Sequence, residues 1–434
     1  MDSAEPCFAG IGREIRSGPR QRHRFPTAWG RSMRVLQLGK FYDPFVGGME
    51  TVLKEICESL AEQVQLQVIV ANTRCRTEHE NKKIPVTRVA SMGRLFSCSM
   101  APSFPLWARK FDADLIHVHL PNPLAELSAL IADREIPVVA QFHSDIVRQR
   151  SLLRLYAPLL DAFYRRANCI IVPRPRHIEV SRFVSKYREK CRIVPFGVSI
   201  PRFELDETGR KKVDELRDGL PSVLCVGRLV TYKGVEFLIR ALQSMKARLW
   251  IAGAGPLEGS LRKLAQEKGI ANRIEFLGQV SDQDLIAYYH ACDVFVLPSI
   301  TNAEMFGVVQ LEAMACRKPV ISTNLPTGVS WVNQHGKTGY LVPPRNAEEL
   351  AKRIKHLISN PQLREEMGEA GRMRVEQRFT STKMAEAMLQ VYQEMLNKPC
   401  RAGVPAKLPH GEEEEEVVEY PAKWAGAVSA ETVD

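Results

Sequence analysis

Between residues 33 and 200, short apolar runs typical of buried strands alternate with segments in which apolar residues recur every three or four positions. The runs predict strands near 34–39, 66–71, 115–119, 137–142, 169–172 and 192–195. The clearest helical face follows Gly47 and Gly48 and contains Met49, Val52, Leu53, Ile56, Cys57 and Leu60. Strands that alternate with helices predict a parallel sheet with helices packed on its faces.

The same alternation begins again after a polar stretch at 201–221, which is typical of a linker. It predicts further strands near 222–227, 248–252, 273–277, 293–297, 319–322 and 340–342. A last helix, within 381–398, places Met384, Met388, Val391 and Met395 on one stripe. The chain is therefore expected to be an α/β protein with two Rossmann-like domains, 33–200 and 222–380. A cleft between two such domains is the usual place for a ligand.

The two ends of the chain differ from this middle part. Residues 1–32 contain six arginines and little apolar periodicity, which predicts a disordered basic extension; a nucleic-acid-binding arm is the alternative. Residues 399–434 include five consecutive glutamates and are expected to be a disordered acidic tail. The net charge is +10, and residues 33–200 hold 24 basic against 16 acidic side chains. This excess fits a phospholipid surface or a pyrophosphate-linked acceptor better than nucleic acid.

Composition excludes several classes of protein. With 45% hydrophobic and 25% charged residues, the chain is expected to be globular rather than disordered or rod-like. It lacks an apolar run of about 18 residues and an N-terminal apolar segment, so we expect neither a membrane span nor a secretory signal. The ten cysteines form no C-x-x-C pair. We therefore expect a cytoplasmic protein with reduced cysteines, and core positions for Cys57, Cys225, Cys292 and Cys316.

Four groups of residues could carry chemistry. Gly47 and Gly48 open a helix after the first strand, where backbone N–H groups bind anions; a turn that requires glycine is the alternative. Arg228 and Lys233 follow the first strand of the second half, and two cations there suit a diphosphate.

Farther along the chain, the stretch from Gly253 to Gly259 begins like a dinucleotide fingerprint, but its third glycine is one position late. Glu304 and Glu312 are eight positions apart, on a loop and on the helix that follows it. These carboxylates could bind a sugar hydroxyl and a ribose diol, and the N–H groups of Phe306 and Gly307 could bind further hydroxyls; two unrelated acids are the alternative.

Together and in this order, Gly47-Gly48, Arg228 with Lys233, and Glu304 with Glu312 resemble the retaining family-four glycosyltransferases of the GT-B fold. The resemblance covers roughly 33–396 and implies a C-terminal helix that packs back on the first domain. It implies that Gly47 and Gly48 contact the donor diphosphate or sugar and that Arg228 and Lys233 neutralise the leaving diphosphate. Glu304 would hold the donor sugar and Glu312 the ribose.

The resemblance also implies a histidine after an apolar strand of the first domain, and His143 is the residue that matches. Gly253, Gly278 and Val280 would lie near the nucleotide, Gly278 and Val280 in a base-contacting loop. His117 and His119 alternate on another strand, where cleft polarity or packing is favoured over a metal site. The family's chemistry is usually described as front-face attack with retention, and no metal or other cofactor is expected.

Residues 324–336 resemble enzymes of bacterial O-antigen and surface polysaccharide assembly. The expected donor is GDP-mannose or a UDP-sugar, and the expected acceptor is a glycan or a polyprenyl-pyrophosphate-linked glycan, with no nucleic acid partner. Residues 146–166 interleave arginines with apolar and aromatic residues, which favours either an anionic membrane surface on the inner face of the plasma membrane or a core-facing helix with a basic outer face. The alternative functions are a nicotinamide-dependent oxidoreductase and a non-catalytic binding protein.

Overall fold

The computed structural model describes residues 33–45, 47–95, 98–144 and 150–397. The predicted extension 1–32 and tail 399–434 lie outside the described residues. The strands of the first half are β1 (Arg34–Leu38), β2 (Gln65–Ala71), β3 (Glu78–Glu80), β4 (Val86–Val89), β5 (Arg94–Leu95), β6 (Cys98–Ser99), β7 (Leu115–Leu120), β8 (Val138–Phe142), β9 (Cys169–Val172) and β10 (Cys191–Ile193). Those of the second half are β11 (Ser222–Val226), β12 (Arg248–Ala252), β13 (Ile274–Gly278), β14 (Val294–Leu297), β15 (Val320–Thr323) and β16 (Gly339–Val342).

The helices connect these strands and cover both sheets. In the first half they are α1 (Gly48–Leu60), α2 (Phe104–Ala108), α3 (Pro123–Ile131), α4 (Arg150–Arg166) and α5 (Pro175–Val180). The second half has α6 (Glu207–Leu216), α7 (Val235–Leu242), α8 (Glu258–Glu267), α9 (Asp282–Ala291), α10 (Val308–Ala315), α11 (Val329–Val332), α12 (Ala347–Ile358), α13 (Pro361–Arg378) and α14 (Ser381–Asn397). Among the helices of the described ranges, none has the length and apolar character needed to cross a membrane.

Each half forms a parallel sheet in which the strand order reverses once. The first sheet has the order β10-β9-β8-β7-β1-β2-β4-β3, and only β3 is antiparallel to its neighbour. The second has the order β13-β12-β11-β14-β15-β16 and is parallel throughout. In such sheets ligands bind at the carboxyl ends of the strands, where the order reverses. These points lie between β1 and β7 in the first sheet and between β11 and β14 in the second.

The C-terminal helix returns to the first domain, as the resemblance implied. Helix α14 packs against α1 and buries Met384, Met388 and Val391 in the core that lies under the first sheet. The hydroxyl of Tyr392 accepts a hydrogen bond of 3.1 Å from Gln37 on β1. The fold prediction is therefore confirmed: two Rossmann-like domains joined by a helix that crosses back.

The predicted linker is more structured than its polarity indicated. Residues 207–216 form α6, which packs on α9 of the second domain. Only Val213 of this helix is buried, and its lysine Lys212 pairs with Asp284. Because α6 has only two apolar residues, Val213 and Leu216, hydrophobic periodicity could not predict this helix.

Replacing Met388 with alanine should lower the free energy of unfolding by about 2–5 kcal/mol, since the side chain is 1% exposed and its removal leaves a cavity. The measurement is urea denaturation followed by circular dichroism. Gln393→Ala, at an exposed position of the same helix, should change the free energy by no more than about 0.5 kcal/mol. Equal effects at the two positions would contradict the packing of α14.

Candidate active site

A buried ion pair joins the two strand ends at the reversal point of the second sheet. Lys233 follows β11, Glu304 follows β14, and Lys233 Nζ lies 2.5 Å from Glu304 Oε2. The Ser299 hydroxyl donates to the same carboxylate oxygen at 2.9 Å. The side chains of Lys233 and Glu304 are 13% and 11% exposed, so the pair is largely buried in the crevice at these two strand ends.

The ion pair keeps Lys233 in its charged form. Burial alone would lower the pKa of Lys233, but the Glu304 carboxylate raises it above its ordinary value. Lys233 is therefore a cation whose charge is balanced by Glu304. Arg228, on the turn just after β11, is exposed and adds a positive charge at the same end of the sheet.

The glycines at the ends of β11 and β12 are required by backbone packing. Gly253 has φ +126°, and a Cβ there would lie 2.2 Å from the carbonyl oxygen of Gly227. A Cβ at Gly255 would lie 2.4 Å from the carbonyl oxygen of Leu229. Glycine is thus required at Gly253 and Gly255 because two turns pack closely together there. These contacts account for the part of the stretch that resembles a dinucleotide fingerprint. The N–H of Gly253 donates to the carbonyl of Gly278 at 2.6 Å, which places Gly278 beside it.

Glu304 and Glu312 lie on either side of a sharp turn, and both are buried. Gly307 has φ +71° and begins α10, where a Cβ would lie 2.6 Å from the side chain of Leu297. Glu312 lies inside α10, is 7% exposed and accepts a 2.7 Å hydrogen bond from the Tyr289 hydroxyl. Burial raises the pKa of Glu312, while Tyr289 and Arg202 oppose that shift. The two carboxylates therefore have different partners and different surroundings.

The loop that carries Glu304 is anchored in the first domain. The side chain of Met305 packs in the core of that domain, and its carbonyl oxygen lies 3.0 Å from His177 Nε2. Arg174 donates to the carbonyl of Thr327 at 2.9 Å, a second contact between the domains. The position of Glu304 is thus set by both halves of the chain.

Across the cleft, the first domain presents the start of α1. Gly47 precedes the helix, and a Cβ there would lie 2.3 Å from Oε2 of Glu50, whereas a Cβ at Gly48 would meet nothing within 4 Å. Burial raises the pKa of Glu50, and the charges of Lys40 and Arg228 oppose that shift. The effect of Arg228 on Glu50 shows that the turn after β11 faces the start of α1.

His143 lies at the carboxyl end of β8 and is linked to the second domain through aromatic rings. Its ring stacks on Phe196 at 5.5 Å, and Phe196 meets Phe306 edge to face at 5.1 Å. Phe306 precedes Gly307, so this contact connects His143 to the loop of Glu304. Both Phe196 and Phe306 are almost fully buried.

His117 and His119 belong to a hydrogen-bonded group rather than to a metal cluster. His119 bonds both His143 and Gln37, and His117 bonds Tyr392. In the described part of the chain, no three His, Cys, Asp or Glu side chains are arranged to hold a metal ion. Burial lowers the pKa of His117 and of His143 to about 3 in each case.

The structure brings together most of the residues that the sequence singled out. Lys233 pairs with Glu304, and Arg228 lies on the turn after β11. Gly278 ends β13 and Val280 follows it, two strands away from β11 in the sheet. Sequence reasoning missed Ser299, Tyr289 and Phe196. Ser299 could have been found, since it directly follows an apolar strand; Tyr289 and Phe196 look like ordinary core residues until the fold places them.

Comparisons with known proteins identify the class. Residues 207–374 match the family described as glycosyl transferases group 1, and residues 46–202 match glycosyltransferase family 4. The chain therefore belongs to these glycosyltransferases, as the resemblance of its motifs implied. It is 30% identical to the O-antigen chain mannosyltransferase C of Escherichia coli, over 84% of this chain and 99% of the relative. It is 33% identical to the D-rhamnosyltransferase WbpZ of Pseudomonas aeruginosa, over 80% of this chain and 93% of the relative.

Solved structures agree on the fold. The sucrose-phosphate synthase of Thermosynechococcus elongatus superposes with a TM-score of 0.73 and 25% identity, over 84% of this chain and 99% of that one. HepE of Anabaena, in complex with UDP-glucose, superposes with a TM-score of 0.68 and 21% identity, over 83% of this chain and 100% of that one. Both support the GT-B arrangement of two domains.

The buried histidines should make stability depend on pH. Because burial lowers the pKa of His117 from 6.5 to about 3, the unfolded chain binds a proton below pH 6.5 that the folded chain does not. The free energy of unfolding of His117→Asn, taken relative to that of the wild type, should therefore rise by about 2 kcal/mol as the pH falls from 7.5 to 5. Urea denaturation at several pH values measures this difference.

Met388→Ala is the control, since it changes a buried side chain that cannot take up a proton. Its free-energy difference from the wild type should stay constant over the same range. A constant difference for His117→Asn would show that His117 takes up a proton in the folded state.

Proposed function

We propose that the protein transfers a hexosyl group from a nucleotide diphosphate sugar to an acceptor hydroxyl, with retention at the anomeric carbon. The observation that carries this proposal is the pairing of Lys233 with Glu304 beside the exposed Arg228, at the reversal point of the second sheet. A leaving diphosphate needs cations, and a reacting sugar needs a hydrogen-bond acceptor. This crevice supplies both within one site.

The charges of the crevice suit a donor that carries a negatively charged diphosphate. In the free protein Glu304 balances Lys233, so the buried lysine is not left without a counter-charge. An incoming diphosphate can take the place of that counter-charge beside Lys233 and pair with Arg228 in the forked geometry that guanidinium favours. Glu304 is then available to accept a hydrogen bond from a donor-sugar hydroxyl.

The proposed transfer step is the one that the family resemblance implies. The acceptor oxygen attacks the anomeric carbon on the face from which the diphosphate leaves, so the new C–O bond replaces the old one with retention. The acceptor proton passes to the departing phosphate oxygen. Arg228 and Lys233 stabilise the charge that develops on the diphosphate, and no metal ion is needed in this scheme. The closeness of the two domains brings donor and acceptor together.

The proposed donor is GDP-mannose, with a UDP-sugar as the second candidate. The O-antigen mannosyltransferase and the rhamnosyltransferase that resemble this chain over most of its length support an acceptor in cell-surface polysaccharide assembly. A lipid-linked glycan is the proposed acceptor. A nicotinamide-dependent oxidoreductase is disfavoured, since the chain belongs to glycosyltransferases and Gly253 and Gly255 are explained by backbone contacts.

Arg228→Ala and Glu304→Gln should each lower transfer about 100-fold or more, because each removes a group that acts on the reacting sugar diphosphate. The assay incubates the enzyme with GDP-, UDP- and dTDP-sugars and measures nucleotide release and product. Arg134→Ala is the matched control, since Arg134 is exposed before β8, at the sheet edge opposite the cleft. Near-normal turnover in Arg228→Ala or Glu304→Gln, with circular dichroism unchanged, would refute the proposed site.

We also propose that the protein associates with an anionic membrane through α4. Residues 146–149 of the predicted segment lie outside the described residues. Leu160, Phe163 and Tyr164 are buried in the core of the first domain, so part of the helix faces inward as the alternative predicted. Leu155, by contrast, is 83% exposed. An exposed leucine on a helix with several arginines suits insertion between anionic head groups.

Leu155→Glu should weaken binding to phosphatidylglycerol-containing vesicles about tenfold, because it replaces an apolar contact with a repelled charge. Cosedimentation with vesicles measures the partition. Leu220→Glu, at an exposed leucine between α6 and β11, is the control and should bind as the wild type does. No binding by the wild type, or an equal loss in both variants, would exclude α4 as a membrane surface.

A further inference from the structure

A row of buried polar side chains runs from the C-terminal helix across the first sheet to His143. Gln37, His117 and His119 lie on one face of β1 and β7, and Tyr392 of α14 covers them. These four side chains are completely buried. Polar groups this deeply buried need defined partners, so their hydrogen bonds fix their orientation.

The four hydrogen bonds form one continuous chain. Tyr392 Oη lies 2.7 Å from Nδ1 of His117 and accepts from Nε2 of Gln37 at 3.1 Å. Gln37 Oε1 lies 3.0 Å from Nε2 of His119. His119 Nδ1 lies 2.8 Å from Nε2 of His143.

The amide of Gln37 sets the direction of the chain. Its carbonyl oxygen can only accept, so Nε2 of His119 carries a proton, and Nδ1 of that neutral ring accepts from Nε2 of His143. The single proton of a neutral His143 is therefore on Nε2. At the other end, Tyr392 accepts from the amide nitrogen, and its own proton points to His117.

Burial keeps all three imidazoles neutral. It lowers the pKa of His143 and of His117 to about 3, and that of His119 well below its ordinary value. A chain of neutral rings can transmit a preference for one tautomer without carrying a charge.

We propose that Tyr392 is a positioning residue of the active site, which acts through Gln37 and His119 to hold His143 as the Nε2–H tautomer. Nδ1 of His143 is then a fixed acceptor for a hydroxyl of the donor sugar. This role rests on the proposed function, together with the resemblance that makes His143 the counterpart of the family's active-site histidine. The hydroxyl of Tyr392 accepts the hydrogen bond of the Gln37 amide nitrogen. Without that hydroxyl the amide can turn over and reverse the bonds that join Gln37, His119 and His143.

The tautomer can be measured without any substrate. In the full-length protein labelled with ¹⁵N-histidine, long-range ¹H–¹⁵N correlations report which ring nitrogen carries the proton, and His143→Asn assigns the signals of His143. We expect Nε2–H in the wild type and a mixture of tautomers in Tyr392→Phe. Tyr340→Phe, at a buried tyrosine of β16 in the other domain, should leave the pattern unchanged. Nδ1–H in the wild type, or an unchanged pattern in Tyr392→Phe, would overturn the proposal.

Kinetic measurements test whether the hydroxyl of Tyr392 acts on turnover through His143. Tyr392→Phe and Gln37→Leu should each lower kcat/KM about tenfold, and Tyr392→Phe should have no further effect in a His143→Asn background. A full tenfold loss in that background would mean that Tyr392 acts on structure alone and would refute the positioning role. If the tautomer result holds but no sugar donor is turned over by the wild type, the proposed function fails and the positioning of His143 stands.

Discussion

The ion pair between Lys233 and Glu304 determines how the active crevice is built. A lysine and a glutamate this deeply buried are tolerated only when they neutralise each other, because taking an isolated charge out of water is strongly unfavourable. The pair therefore ties the end of β11 to the end of β14 at the point where the strand order reverses. Ser299, which donates to the same carboxylate, completes this connection. In the function proposed above, the exposed Arg228 is a cation available to the diphosphate of the donor.

The two domains meet around this crevice through contacts of different kinds. Met305 inserts into the core of the first domain, and Phe196 reaches Phe306 from the opposite side. Helix α14 packs on the first domain, where Tyr392 forms hydrogen bonds with Gln37 and His117. Apolar packing thus sets the distance between the domains, while hydrogen bonds set the orientation of the side chains that line the cleft.

Much of the fold could be predicted from the sequence, because fully buried parallel strands appear as continuous apolar runs. The predicted central strands of both sheets are present within one or two residues of the expected bounds. Strands β3 and β4, at one side of the first sheet, were missed, since β3 has only polar residues and β4 has two polar residues between two valines. Arg228, Lys233 and Glu304 could be singled out because they follow strands. Gln37 and Tyr392 could not, since their roles depend on contacts between residues 355 positions apart.

The most direct test is a crystal structure of the protein with a bound nucleotide diphosphate sugar. It should show the diphosphate within hydrogen-bond distance of Arg228 and Lys233, and a hydroxyl of the sugar on Glu304. In that structure the distance between Lys233 Nζ and Glu304 Oε2 should be longer, because the diphosphate pairs with the lysine. A nucleotide bound elsewhere in the cleft, with the ion pair intact and Arg228 in solvent, would contradict the role assigned to this crevice.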